Sequence, residues 1–280
     1  MDNNQLIQDY SHGKSLRQCS KDYNLDIPTI KKLLKNNHIH IRNRAEQNIY
    51  TNASRAYSVN HLFFDTLNPI NVYYIGFFAA DAYIPKNRNT LDISLAAVDK
   101  DWLYELKENI QSKAPVREHT TNKGFQVASF AFSSKHIIDR LKKFGIVNRK
   151  TYIGSSMKNI PDELKLAYIK GFFDGDGSFS WSKKTAQGTF KICSHTQDIL
   201  IEFKNFLLDY FDNKFNMNIY TLHRKDKILY SLECSTIPSL MILEEMYHLK
   251  TPSLTRKYEN FKAFKQFRLE KYGARAKTTL

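Results

Sequence analysis

The sequence reads as an α+β protein in which two similar halves follow a small all-α start. Three observations lead there. A motif occurs twice, as Tyr-Tyr-Ile-Gly-Phe-Phe-Ala-Ala-Asp ending at Asp81 and as Tyr-Ile-Lys-Gly-Phe-Phe-Asp-Gly-Asp ending at Asp176, with Gly76, Phe77 and Phe78 matching Gly171, Phe172 and Phe173 at one offset of 95 positions (176 − 81). After each copy the apolar pattern alternates between the period of a helix and that of a strand in the same order, the mark of an internal duplication. A chain of 280 residues, 42% apolar and 25% charged, is long enough to bury a sizeable core.

Residues 1–44 carry a three-helix pattern. Leu6, Ile7 and Tyr10 form one apolar stripe, which Gly13 is placed to end in a left-handed turn. Ser15 with Gln18 fits a capping box, and Asp26 suits the N-cap of a third helix with Ile30 and Leu33 or Leu34 inward. That helix carries Lys31, Lys32 and Lys35 on its outer face, and Arg42 and Arg44 follow it, the layout of a helix-turn-helix with a basic tail. The segment Lys14 to Gln18 with Asn36 to Arg42 resembles resolvase-type helix-turn-helix modules. Residues 45–66 are polar and irregular and read as a linker with one apolar anchor, Leu62 to Phe64.

The first half spans 67–154. A helix stops near Asp81, a strand covers Ile93 to Ala97, Trp102 to Ile110 make an amphipathic helix, and Phe125 to Phe132 alternate before a helix that ends at Gly145. The second half, 155–280, opens at Pro161, Asp162 and Glu163, since proline and acids suit the first turn of a helix. It repeats the order of elements and ends in a basic tail expected to be a solvated helix that includes Lys257, Lys262, Lys265 and Arg268.

Charge sets the partner. A net charge of +14 and a pI near 9.5 favour a polyanion, because neutralising phosphates with Lys or Arg releases condensed counterions. Nucleic acid is the first reading and an anionic membrane surface its rival. The absence of a long apolar run and of a basic, apolar start predicts a protein neither membrane-spanning nor secreted, held in the cytoplasm with the nucleoid. Three distant cysteines, Cys19, Cys193 and Cys234, support neither a disulfide framework nor a zinc site.

The doubled motif is where chemistry is expected. Glycine and alanine let two helix backbones approach, so Gly76, Ala79 and Ala80 can face Gly171 and Gly175 across a pseudo-twofold axis. Asp81 and Asp176 then end side by side, where like charges call for a cation between them. Oxygen ligands with open positions favour Mg²⁺ and phosphodiester hydrolysis. A single Gly-x-x-x-x-Asp is only a helix with a terminal acid. Two copies in like-ordered halves of a basic chain are much more specific.

Ile75 to Ala82 and Ile169 to Gly177 resemble the two motifs of a single-chain LAGLIDADG homing endonuclease, over roughly residues 68–262. The resemblance implies tandem αββαββα halves whose two four-stranded sheets form a saddle over double-stranded DNA with a long, asymmetric site. It also implies a monomeric, Mg²⁺- or Mn²⁺-dependent endonuclease encoded by a mobile element. Asp81 and Asp176 would be catalytic metal ligands, with the backbone carbonyls of Ala80 and Gly175 added. Lys135, near a hairpin end, is the basic candidate of the first half; Lys183, Lys184 and Lys191 are substitutes in the second. Ala79 and Ala82 depart from the motif, and Ala82 is expected to shift the chain leaving the first helix. Arg88, Lys183, Lys184, Arg224 and Lys225 are candidate DNA contacts at hairpin ends. The alternative is a non-cutting DNA-binding regulator or intron-splicing maturase on the same fold.

Overall fold

The computed structural model describes residues 3–44, 46–47, 57–86, 88–148, 155–224 and 227–273. It divides into two compact units, Met1–Tyr57 and Ser58–Leu280.

In the first unit α1 (Asn3–Ser11), α2 (Leu16–Tyr23) and α3 (Ile27–Asn36) close on a core of Leu6, Tyr10, Cys19, Ile30 and Leu34. Gly13 sits at φ +109°, a conformation that strains other residues. The Ser15–Gln18 capping box forms in both directions. Asp26 stands at the N-cap of α3 but makes no side-chain cap, and Pro28 occupies the first turn. Arg42 was expected on DNA; the structure instead turns it inward. Its Nη2 donates to the carbonyls of Tyr10 and Lys14 at 2.7 Å each, and its guanidinium lies 4.0 Å from the Tyr10 ring centroid.

The second unit begins earlier than the linker expectation placed it. Val59 and Phe64 are buried in its core, and Phe64 packs edge-on to Phe78. The first half runs α4 (Pro69–Asp81), β1 (Thr90–Ala96), α5 (Lys100–Asn109), β2 (Arg117–Thr120), β3 (Gln126–Ser133) and α6 (Lys135–Lys142). The second runs α7 (Lys165–Asp176), β4 (Gly177–Ser182), β5 (Gln187–Ser194), α8 (Gln197–Tyr210), β6 (Asn218–Arg224), β7 (Lys227–Ser235) and α9 (Thr236–His248), and adds α10 (Thr255–Tyr272).

Each half carries an antiparallel sheet, in the orders β1-β3-β2 and β4-β5-β7-β6. Among the described residues the first has three strands where four were expected. Its outer strand is reduced to a bridge of Tyr83 with Asp92, because Pro85, two residues on, has no N–H to continue the ladder. One face of each sheet packs on helices through Leu91, Ile93, Phe130 and Phe132, or through Phe190, Ile192 and Leu232. The other face is open and small-polar: Ser94 and Ser129 in the first sheet, Ser178, Ser180, Gln187, Thr189 and Lys191 in the second.

Helix α10 is not a solvated tail. Phe261 and Phe264 are buried, Lys265 pairs with Glu244, and Arg268 donates to the carbonyl of Ala186.

Candidate active site

The site is built on α4 and α7, apolar on nearly every side and buried for most of their length. Such helices can meet only where side chains are absent. A Cβ added to Gly76 would lie 2.0 Å from the backbone oxygen of Tyr168, and one added to Gly171 would lie 1.9 Å from that of Tyr73. Tyr73 and Tyr168 are themselves 95 apart (168 − 73), so each glycine packs on the counterpart of its own neighbour, which is the reciprocity of a twofold contact. On the axis, Gly175 faces Ala80, whose Cβ would be 2.4 Å from an added Cβ.

Both helices end on their acids. Asp81 and Asp176 are exposed, and the Asp81 Cβ is 3.5 Å from where a Gly175 Cβ would stand, so the two termini lie side by side. The expected shift at Ala82 does not occur. Ala82 leaves α4 at φ −81°, ψ 154° and Gly177 leaves α7 at φ −94°, ψ 166°, extended values open to any residue. Glycine is needed at 177 for another reason: an added Cβ would be 2.3 Å from the Phe173 ring.

A divalent cation fits this donor set. Two carboxylates and the last carbonyls of two helices are hard oxygen donors at the negative ends of two dipoles. Among the described residues no group of three or more His, Cys, Asp or Glu is placed to hold a metal. Hard oxygen donors of this kind suit Mg²⁺ or Mn²⁺ better than zinc.

Sequence reasoning missed what lies behind Asp176. Lys257 of α10 is buried, and its Nζ donates to the carbonyls of Phe173, Asp174 and Gly177 at 2.6, 2.8 and 2.6 Å. A cation thus caps the C-terminus of α7, where the helix dipole favours positive charge. Burial pushes its pKa down to about 8, against the pull of Asp174 and Asp176. Asp174 is buried beside it. Its Oδ2 accepts from the Tyr73 hydroxyl at 2.7 Å and from the Leu254 N–H at 3.1 Å, while Trp102 Nε1 donates to that same hydroxyl at 2.8 Å. Burial raises the Asp174 pKa, with Lys257 opposing. A second buried lysine, Lys170, donates to Thr251 and lies over the rings of Tyr73 and Tyr247; burial holds it near 8 as well. One signal was available in the sequence: Lys170 lies inside an otherwise apolar helix pattern.

A cavity of about 220 Å³ opens beside Asp176, lined by Ala79 and Ala80 of the first motif helix and by Phe172, Cys193, Ser194, His195 and Thr196 of the second half. Strand register explains the grouping. Gly177 pairs with Ile192, so Asp176 is level with Cys193; Tyr83 pairs with Asp92, so Asp81 is level with Ser94. His195 therefore corresponds to Ala96.

Other predicted residues are dispersed. Lys135 opens α6, exposed, and pairs with Asp139. The row of Asp81 and Ser94 continues to Ser129, whereas Lys135 follows the far end of β3 at Ser133, four residues on (133 − 129) and roughly 13 Å away at a strand rise of about 3.3 Å per residue, so the strand register does not bring Lys135 level with the acids. Lys191 is on the open face, bonded to Glu233 at 2.7 Å. Arg88, Lys183 and Lys184 are exposed in turns, and Lys31, Lys32, Lys35 and Arg44 are exposed in the first unit. Lys225 and the side chain of Arg224 lie outside the described residues. No helix among the described residues is long and apolar enough to cross a membrane.

Residues 169–268 match the family model described as LAGLIDADG endonuclease. Uncharacterized protein MJ0314 of Methanocaldococcus jannaschii is 26% identical over 168 residues, 55% of this chain and 56% of that protein, so the chain spans little over half the length of that relative. Among solved structures, meganuclease I-SmaMI bound to uncleavable DNA is similar at TM-score 0.48 and 14% identity, covering 75% of this chain and 93% of that one. The full-length DUF199/WhiA protein of Thermatoga maritima is similar at TM-score 0.44 and 15% identity, covering 75% and 65%. The family match thus lies within the second half, and the first half repeats that half's order of elements.

Proposed function

We propose that this LAGLIDADG-domain protein is a site-specific double-strand DNA endonuclease, monomeric and dependent on a divalent cation such as Mg²⁺ or Mn²⁺. The observation that carries the reading is the pairing of Asp81 and Asp176 at the ends of two helices held in backbone contact. A pure DNA binder gains nothing from two exposed carboxylates aimed at a polyanion.

In this reading the open sheet faces lie along the grooves, where Gln187, Thr189 and Lys191 can reach base edges. Arg88, Lys183, Lys184, Arg224 and Lys225 hold phosphates at the hairpin ends. Lys135 joins them as a phosphate contact and not as a catalytic group. Lys31, Lys32, Lys35 and Arg44 of the first unit add a second, tethered DNA contact, which raises effective concentration at an adjacent stretch of site. Asp81 and Asp176, with the carbonyls of Ala80 and Gly175, would hold the cation, whose chemistry there would be to activate water and to neutralise charge on the departing 3′ oxygen. Lys257 keeps the last turn of α7 fixed while Asp176 works.

The test is to incubate the full chain with a randomised duplex pool in Mg²⁺ and in EDTA and to sequence the ends produced. The reading expects cation-dependent cutting of both strands at one recurrent site. Retention of duplexes without any cut ends, equal in Mg²⁺ and EDTA, would instead establish the non-cutting regulator.

A further inference from the structure

Helix α10 runs beside β4 and joins the end of α7 to the turn between β4 and β5. β4 is the edge strand of its sheet, and alternate carbonyls of an edge strand have no neighbouring strand to serve them. Along one face of α10, Lys257 Nζ donates to the carbonyl of Gly177 at 2.6 Å, Asn260 Nδ2 to that of Phe179 at 2.7 Å, and Arg268 Nη1 to that of Ala186 at 2.9 Å. Asn260 also accepts from Trp181 Nε1 at 3.0 Å, and Phe264 packs on Phe179 and Trp181 with ring centroids 5.3 Å from each. The lengths agree: 11 residues of helix (268 − 257) and five of strand (182 − 177) each rise about 16 Å. The turn that α10 reaches is held in a costly shape. Ala186 is buried at φ +53°, the left-handed region that favours glycine. Its N–H donates to the carbonyl of Ser182 at 2.8 Å, and its own carbonyl is the one that Arg268 takes. The Arg268 guanidinium is fixed in its turn, 5.8 Å from the ring centroid of Phe264 and 5.0 Å from that of Tyr272. Lys183, Lys184 and Thr185, the rest of the turn, are exposed. A strained backbone persists only where its surroundings over-determine it, and such positions cluster where ligands are gripped.

We propose that α10 is a splint between the Asp176 site and the β4–β5 turn, and that Arg268 is a positioning residue that holds this turn in the shape in which Lys183 and Lys184 take DNA phosphates. The inference rests on the DNA-contact part of the endonuclease reading. Arg268 acts through Ala186 and not on DNA directly. A duplex seated on the turn is thereby kept at one distance from Asp176, so the phosphates gripped at the tip of the hairpin set which phosphate the acid meets at its base.

The test uses the full chain and a duplex recovered by retention from the randomised pool in Ca²⁺, with affinity followed between about 50 and 200 mM salt. Lys183→Ala with Lys184→Ala should weaken binding about tenfold at low salt and flatten the salt slope by about two, one for each phosphate contact. Arg268→Gln should weaken binding about fivefold, the factor by which an unheld alanine leaves the left-handed region, and should add nothing in the chain that already lacks both lysines. Ala186→Gly added to Arg268→Gln should bring affinity back to within about twofold of wild type, because glycine takes positive φ freely. A purely structural arginine would lower the melting temperature and leave the affinity of the folded chain unchanged, which overturns the proposal. A loss that Ala186→Gly does not rescue, and that persists without the lysines, makes Arg268 a direct DNA contact and also overturns it. Unchanged binding by the chain lacking both lysines overturns it by showing the turn free of DNA. All of these measurements read binding alone, so failure of the endonuclease reading, seen as no cut ends in Mg²⁺, is a separate result.

Discussion

The two motif helices are alike where they touch and unlike where they end. Along their contact, Gly76 meets Tyr168 as Gly171 meets Tyr73, and both chains leave their helices at nearly the same extended dihedrals. Beyond the contact, α7 is capped by Lys257 and flanked by the buried Asp174 and by His195, whereas the first half has Ala79 and Ala96 at the matching positions and a three-stranded sheet. The difference teaches which constraints a duplication retains. Backbone-to-backbone packing tolerates no side chain on either partner, so it stays symmetric. The ends of the helices face different neighbours in each half, so their chemistry is free to diverge.

The largest expected effect tests whether the divergence reaches function. Asp176→Asn and Asp81→Asn should each leave duplex affinity in Ca²⁺ within about twofold and lower cutting of at least one strand by 1,000-fold or more, about 4 kcal/mol of transition-state stabilisation. Strand-specific cutting rates decide it, and normal double-strand cutting by both variants would sink the catalytic pairing. If the halves differ as their surroundings do, the strand that depends on Asp176 is also the one cut faster by the wild type. Next in size are the symmetric positions. Gly76→Ala and Gly171→Ala push a methyl into backbone at 2.0 and 1.9 Å, and each should cost on the order of 3 kcal/mol or more by urea unfolding, equally for both. A large difference between them would show that the contact is not the shared element of the two halves.

How much of this was legible in the sequence follows the same division. The motif contact was readable because glycine at helical spacing has few other uses, and the repeat at one offset named both partners. The helix order, the Ser15–Gln18 box and the end of α4 at Asp81 were readable from local pattern. What escaped depends on tertiary neighbours. Lys257 looks like any lysine of a basic helix until α10 is laid across the end of α7, and Arg42 looks like a phosphate contact until Tyr10 receives it. Lys135 was chosen for following a strand end, but strand ends come in two kinds, and register puts this one far from Asp81. His195 was passed over because only the β4–β5 register sets it beside Asp176.

Lys257 gives the remaining test, because it caps α7 from the second half's own last helix. Lys257→Met removes the charge, leaves three carbonyls and Asp174 uncompensated, and should lower stability by about 3 kcal/mol at pH 7. Cutting that depends on Asp176 should fall more than cutting that depends on Asp81, because a loosened α7 end moves one acid and not the other. The smallest effect is its pH dependence. Burial pushes the folded pKa of Lys257 down to about 8, against an ordinary value of 10.5. Between those values the unfolded chain binds more protons than the folded one, so the stability contributed at this site rises with pH across that window and is flat below about 8. Groups that titrate there but lie away from Lys257 and Asp174 are common to both proteins and cancel in the difference. The stability gap between wild type and Lys257→Met should therefore widen from pH 8 to pH 10 in urea unfolding. A constant gap would mean that Lys257 keeps its ordinary proton affinity when folded, and the cap on α7 would then be a solvated contact and not a buried cation.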